Sequence, residues 1–172
     1  MKKYIFFFLI LLPLNKSQSQ TIGLLLNSED SFNGYTLFSP NASTTTYLIN
    51  NCGKIINQWE SNYKPGLSVY LLENGHLLRT KRMASPINQG GSFSGGGIGG
   101  GLEEFDWEGN LIWEYNYANK LVHQHHDIEQ LPNGNILILA WEKKTIKEAE
   151  SLGAINMMTE EIWPEHIIEI EK

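Results

Sequence analysis

Two pairs of similar segments constrain the fold of this chain most. The first pair covers residues 47–59 and 103–115, and the second pair covers residues 69–78 and 128–137. Each segment places two short apolar stretches around a polar turn that contains glycine, which is the pattern of a β-hairpin. The members of the two pairs lie 56 and 59 residues apart. This repetition predicts an all-β protein built from recurring hairpins.

One repeat unit contains two hairpins and therefore four strands. A four-stranded unit that recurs at a period slightly above about 50 residues is typical of a β-propeller blade, which needs neighbours to bury its faces. Residues 167–172 resemble the strand that begins at residue 103, but the chain stops before the expected turn glycine. We therefore interpret residues 20–172 as the truncated N-terminal part of a β-propeller domain. It would hold about two and a half four-stranded blades; the alternative is a complete small β-sandwich.

A glycine-rich stretch interrupts the repeats at residues 89–102. It contains Gly95-x-Gly97-x-x-Gly100, the letter pattern of a dinucleotide-binding loop. Such a loop must open a helix, whereas a strand is expected here. We therefore predict a flexible loop between strands, and no cofactor.

A second interruption, residues 145–153, has the signals of a helix. Thr145 and Glu148 have the spacing of a capping box, and Gly153 suits a helix end. The pattern predicts one short helix inserted in a loop of the β-propeller.

The N-terminal residues 1–19 have the pattern of a cleaved export signal. Two lysines precede an apolar run that ends in polar residues, and Ser17 and Ser19 are small residues that suit cleavage before Gln20. The apolar run is shorter than the ~20 residues that a membrane span requires. We expect the mature protein to be soluble, free of the membrane, and either periplasmic or secreted from a bacterium.

The net charge limits the possible partners, and the cysteine content limits the possible disulfides. The formal net charge is -6, and no basic face is evident, which argues against a nucleic-acid partner. Cys52 is the only cysteine, so no internal disulfide can form, and its place in a polar turn favours a passive role. Oligomeric state is not indicated by the sequence.

Three of the five histidines crowd together before one predicted inner strand. They are His123, His125 and His126, and Asp127 follows them directly. In a propeller, the entry of the innermost strand faces the mouth of the central channel, where ligands bind. The repeat aligns His126 with Leu67, so the fold alone does not require this polar cluster.

Several chemistries are consistent with the cluster. His123, His125 and Asp127 would alternate to one side of a strand and could hold a metal. An imidazole could also serve as acid, base or nucleophile, or donate hydrogen bonds to an anion. A polar strand entry with a purely structural role is a further interpretation.

Other polar and aromatic residues receive more ordinary interpretations. Arg79, Lys81 and Arg82 follow the strand 77–78 and could attract an anionic substrate, but we favour a solvated loop. Trp141 and Trp163 are expected to pack within blades.

At this point the residues resemble a known family, the bacterial arylsulfate sulfotransferases. The resemblance rests mainly on His125-His126-Asp127-Ile128 and the hairpin at residues 131–137, with support from Trp141-Glu142, residues 34–40 and residues 163–165. It extends over about residues 21–172.

The resemblance implies an exported six-bladed propeller that moves a sulfuryl group from an aryl sulfate to a phenol. Its partners would be these small molecules, and it would use no cofactor. The route would pass through a covalent sulfohistidine. By this resemblance His126 binds the sulfuryl group or phenolic oxygen without being the nucleophile, and His125 is the weaker match. The family's nucleophilic histidine and its arginine partner belong to later blades and have no match here.

Two other functions remain open on the sequence. The first is an exported, non-catalytic β-propeller that binds carbohydrate or protein, in which the histidines are incidental. The second is a metal-dependent hydrolase that uses His123, His125 and Asp127, and it would be sensitive to chelators.

If the chain is complete as made, we predict that it has no sulfotransferase activity, because it lacks a match to the nucleophile. The purified 172-residue protein would be mixed with an aryl sulfate donor and phenol, and release of the donor's phenol would be followed. The expected rate is the background rate; turnover above background would contradict the prediction.

Overall fold

The structure of the protein is a computed structural model that describes residues 24–83 and 95–172. The predicted export signal lies outside the described residues, as does the beginning of the glycine-rich stretch. The described residues form twelve strands and one short helix. The strands are β1 (Tyr35–Phe38), β2 (Thr45–Asn50), β3 (Ile55–Glu60), β4 (Pro65–Leu71), β5 (Leu77–Arg82), β6 (Gly100–Phe105), β7 (Leu111–Asn116), β8 (Val122–Gln130), β9 (Ile136–Glu142), β10 (Lys144–Thr145), β11 (Glu161–Ile162) and β12 (Glu165–Ile170).

All strand pairs are antiparallel, which confirms the predicted all-β fold. Sheet one has the order β1-β2-β3, sheet two the order β4-β5-β6-β7, and sheet three the order β8-β9-β12. A separate ribbon pairs β10 with β11. The four predicted hairpins correspond to β2–β3, β4–β5, β6–β7 and β8–β9.

Glycine fixes the equivalent turns after β4 and β8. Gly75 and Gly134 have φ values of +85° and +90°, a region that other residues enter only with strain. Their amides donate to the carbonyls of Leu72 and Leu131 at 2.9 Å. The two repeat units therefore turn at the same point by the same local chemistry.

The predicted short helix is confirmed as α1 (Ile146–Ser151), between β10 and β11. Thr145 and Glu148 form the expected capping box, in which each side chain accepts from the other residue's backbone amide. Within the described ranges, no helix is long and apolar enough to cross a membrane.

Two apolar clusters hold the three sheets together. Leu48 and Trp59 of sheet one pack with Leu77 and Phe105 of sheet two. On the other face of sheet two, buried residues meet those of sheet three: Leu78, Leu102, Ile128, Ile136, Ile138 and Ala140. Sheet two is therefore the middle layer of a stack, with a core on each face.

The expectation of a solvated loop for Arg79 and Lys81 is wrong. Strand β5 continues through both residues, and both side chains are buried. Arg79 donates to the carbonyls of Tyr63 at 2.9 Å and Thr44 at 3.1 Å. Its Nε lies 3.8 Å from a carboxylate oxygen of Glu103. These cations therefore belong to the packing of sheet two, where they are not available to a ligand.

Lys81 has a separate set of partners. Its ammonium donates to Glu114 at 2.6 Å and lies 4.7 Å from the centre of the Tyr63 ring. The carboxylate and the ring face together compensate for the loss of water around this buried cation.

Burial disfavours the charged forms of both Arg79 and Glu103. Burial raises the pKa of Glu103 and lowers the pKa of Arg79, while the opposite charges reduce both shifts. Glu103 also accepts a 2.8 Å hydrogen bond from Ser61. The network joins sheet one to sheet two, and removing one member would leave the others buried without their partner.

Glu103→Ala should therefore lower the free energy of unfolding by about 3–5 kcal/mol, since it leaves the buried Arg79 guanidinium without the carboxylate beside it. Urea unfolding followed by tryptophan fluorescence would measure the loss. Glu108→Ala, in the exposed turn before β7, is the matched control and should change stability by no more than about 0.5 kcal/mol. Similar losses in the two variants would contradict the role of the buried network.

Candidate functional site

Strand β8 is irregular where the sequence predicted a site. Its register with β9 shifts between Gln124 and Ile128. We call residues 125–127, which lie within this shift, the β8 bulge. Strand β4 has the same kind of shift between Pro65 and Val69, which are the equivalent residues of the preceding repeat. The irregularity is thus a property of both repeats, whereas the histidines occur only in the second.

Ser68 joins β4 to the β8 bulge. Its hydroxyl oxygen lies 2.6 Å from the carbonyl oxygen of His126 and 2.7 Å from a carboxylate oxygen of Asp127. A hydroxyl has a single proton, so it donates to one of these acceptors at a time. The equivalent strands of the two repeats therefore lie side by side at the bulge.

Asp127 is held by further donors. Besides Ser68, the Tyr70 hydroxyl donates to it at 3.0 Å and the Ile128 amide at 2.9 Å. Burial opposes ionisation of this carboxyl, but the hydrogen bonds outweigh it and lower the pKa of Asp127. The carboxylate therefore anchors the bulge.

His125 is almost fully buried, with 8% of its surface exposed. Its Nε2 lies 2.9 Å from the carbonyl oxygen of Gly96. Because a carbonyl only accepts, Nε2 must hold the proton in this bond. The ring meets the edge of Trp141 at a centroid distance of 3.8 Å, and Nδ1 lies 4.0 Å from Glu165. Packing and one hydrogen bond thus fix both the position and the tautomer of this imidazole.

His126 is the more accessible member of the pair. Its ring is half-buried, with its centre 4.2 Å from that of His125. Gly97 lies directly against its ring. Across residues 24–83 and 95–172, the His126 ring makes no hydrogen bond, so it is the better placed of the two to meet a ligand.

The environment of His123 differs from that of His125 and His126. It has no exposed surface, and neither ring nitrogen has a hydrogen-bond partner among the described residues. Burial lowers the pKa of His123, although the backbone of Gly99 acts in the opposite direction. The interior therefore favours the neutral ring.

The metal hypothesis is not supported by this arrangement. The register shift breaks the alternation that would align His123, His125 and Asp127, leaving the two histidines buried and Asp127 exposed. In the part of the chain that the structure describes, no group of three His, Cys, Asp or Glu side chains could hold a metal.

The described part of the glycine-rich stretch is built into the site. Gly99 donates its amide to the carbonyl of Gln124 at 3.3 Å, and the Gly100 amide donates to the Gln124 side chain at 2.8 Å. Strand β6 begins at Gly100, so a strand follows as predicted and the dinucleotide pattern lacks its helix. The loop predicted for residues 89–102 is wrong for residues 100–102, which belong to β6, whereas residues 95–99 lie outside the strands.

Several contacts of the site were not predicted. Ser68 and Glu165 reach the bulge from strands distant in sequence, and Gly96 and Gly97 approach it from the glycine-rich stretch. The alignment of Ser68 with Asp127 in the repeat was a signal, because the equivalent strands β4 and β8 lie side by side. The glycine contacts had no comparable signal.

The fold and the paired histidines define an all-β repeat protein with its candidate site at an irregular strand. The chain belongs to the arylsulfotransferase (ASST) family, whose sequence model matches residues 18–161. This confirms the resemblance drawn from the sequence. Comparisons with curated proteins and with solved structures found no match.

The buried histidines should make the fold sensitive to mild acid. Burial lowers the pKa of His123 and of His125 below the ordinary value near 6.5. Unfolding exposes both rings and lets them bind protons, so stability should be fully present above about pH 6.5 and decline as the pH falls towards the folded pKa values.

Urea unfolding between about pH 7.5 and 5.5 would measure this decline around the histidine pKa. His123→Phe keeps a ring but removes one titrating group, so its decline should be shallower. Equal pH dependence in the wild type and the variant would contradict the prediction. Near-ultraviolet circular dichroism at pH 8 would serve as the control for an intact fold.

Proposed function

We propose that this chain carries part of the substrate site of an exported aryl-sulfate sulfotransferase, with its three larger sheets as consecutive blades of a β-propeller. Membership of the arylsulfotransferase (ASST) family over residues 18–161 is the observation that carries the proposal. Within this site, His126 binds the sulfuryl group or the phenolic oxygen, and His125 supports it.

The relation between the sheets supports the propeller arrangement. Sheet two packs against sheet one on one face and against sheet three on the other. The equivalent strands β4 and β8 approach each other through Ser68 and Asp127. Repeated sheets that stack in this way, with their first strands adjacent, are what successive blades around a channel require.

The chemistry of sulfuryl transfer suits the exposed imidazole. Charge on the oxygens of the transferred group changes during the reaction, and positioned hydrogen-bond donors stabilise it, as they do in phosphoryl transfer. An imidazole offers one N–H donor when neutral and two when protonated. The half-buried ring of His126 is at the surface of the bulge, where such a donor can reach a ligand.

His125 has a different part in the proposal. Its Nε2 proton is already directed at Gly96, and its ring is packed against Trp141. We therefore assign it to holding the neighbouring ring of His126 in place, which agrees with its weaker match to the family.

The proposed reaction has two steps. A histidine nitrogen attacks sulfur, so that an N–S bond forms as the S–O bond of the aryl sulfate breaks and the phenolate leaves. An acceptor phenol then attacks the sulfur while its proton passes through water to the released phenolate, and the N–S bond breaks to restore the histidine. We assign no nucleophile to the described residues, because His123 and His125 are buried and His126 is assigned to binding. The other two histidines, His76 and His166, are hydrogen-bonded to Glu104 and Tyr117.

The proposal predicts that His126→Ala weakens the binding of 4-nitrophenyl sulfate by about tenfold or more, the loss of one hydrogen bond to a charged group. Isothermal titration with the 172-residue protein would measure the dissociation constant. Weaker binding is expected because His126→Ala removes the hydrogen-bond donor but leaves the strand and its backbone contacts in place.

The matched control is His76→Gln. His76 lies in the turn before β5 and hydrogen-bonds to Glu104 at 2.8 Å, and glutamine retains a donor for that contact. This variant should bind as the wild type does. If His126→Ala also binds with unchanged affinity, the assignment of His126 is wrong.

A further inference from the structure

Two glycines, Gly97 and Gly99, approach the β8 bulge more closely than any other residue type would permit. A β-carbon placed on Gly99 would lie 1.9 Å from the side-chain oxygen of Gln124 and 2.4 Å from the carbonyl oxygen of His125. Side chains do not pack at such distances, so the backbone at residue 99 can approach β8 only as glycine. The amides of Gly99 and Gly100 both donate hydrogen bonds to Gln124 and stabilise this contact.

Gly97 makes the equivalent contact with the proposed substrate-binding side chain. A β-carbon here would lie 2.9 Å from Cδ2 of His126 and 3.1 Å from its Cβ. The φ of Gly97 is +71°, a region that other residues enter only with strain. The glycine therefore closes one side of the space in which the His126 ring can turn.

Gly96 acts on the neighbouring histidine through its carbonyl. That oxygen accepts the proton of His125 Nε2 at 2.9 Å, so the ring of His125 is held with its proton on Nε2. The His125 ring in turn lies against His126, at 4.2 Å between centroids. The same short segment thus bounds both rings of the pair.

We propose that residues 96–100 form a positioning element, in which Gly97 sets the orientation of the His126 ring and the Gly96 carbonyl sets the tautomer of His125. Gly97 is a positioning residue for the proposed function, since it acts through His126 and does not itself bind the substrate. The substrate-binding part of this inference rests on the proposed function, whereas the orientation of the rings does not.

The test is Gly97→Ala with two matched controls. Gly96→Ala adds the same methyl group one residue away, where nothing lies within 4 Å of it, and keeps the carbonyl. Gly109→Ala reproduces the backbone strain, because Gly109 has a φ of +91° and open space around it.

Nuclear magnetic resonance of the histidine rings provides the first readout. Gly97→Ala should shift the His126 ring signals, whereas Gly96→Ala and Gly109→Ala should leave them in place. In the wild-type protein, long-range proton–nitrogen correlation spectra should show that the His125 ring carries its proton on Nε2. Unchanged His126 signals in Gly97→Ala, or a proton on Nδ1 of His125, would overturn the inference.

Binding of 4-nitrophenyl sulfate provides the second readout. Gly97→Ala should weaken it about tenfold, to the extent that His126 supplies the hydrogen bond. If the rings move as expected but the wild-type protein does not bind 4-nitrophenyl sulfate, the positioning element stands and the proposed function fails.

A variant that does not fold is also informative. If Gly97→Ala unfolds while Gly109→Ala folds, the double variant Gly97→Ala/His126→Gly should recover the folded state, because it removes both the ring and the β-carbon that obstruct the new methyl group. Failure of the double variant to fold would overturn the inference, since the obstruction would then come from elsewhere.

Discussion

The structure depends on the burial of sheet two on both of its faces. Its two middle strands, β5 and β6, have almost no exposed residue, although they carry Arg79, Lys81, Glu103 and Glu104. Buried charges are tolerated only when each finds a partner. Arg79 has two carbonyls and the Glu103 carboxylate, and Glu103 also has the Ser61 hydroxyl. Lys81 has a carboxylate and a ring face, and Glu104 has the imidazole of His76. Sheet two can therefore be buried between its neighbours only if these charges are paired. The burial of sheet two in turn places β8 beside β4.

The candidate site occupies the place where regular pairing stops. At the β8 bulge, ladder hydrogen bonds are replaced by contacts from Ser68, from the glycine backbone and from Glu165 and Trp141. One histidine is held inside by these contacts, and its neighbour stays at the surface. Such a division suits binding by a rigid side chain, because the buried partner restricts the movement of the exposed one. Its relation to the arylsulfotransferase (ASST) family gives this arrangement a chemical context.

What the sequence could predict was governed by local chemistry. The hairpin turns at Gly75 and Gly134 and the capping box of Thr145 depend on residues within one turn, so their patterns predicted the correct elements. The histidine cluster was also visible, because its residues are adjacent. The burial of Arg79 was not, since its partners Thr44 and Glu103 come from other strands and a charged residue by itself indicates solvent. The sequence of the glycine-rich stretch also did not indicate that its backbone lies against Gln124. These contacts arise only when distant strands come together.

The irregularity shared by β4 and β8 shows which part of the candidate site is independent of the histidines. Both strands break register at equivalent residues, yet β4 carries Leu67 where β8 carries His126. The shifted backbone therefore forms with an apolar side chain as well as with an imidazole, and the histidines are not its cause. The side chains at this interruption can thus differ from one unit to the next while the backbone that presents them stays the same.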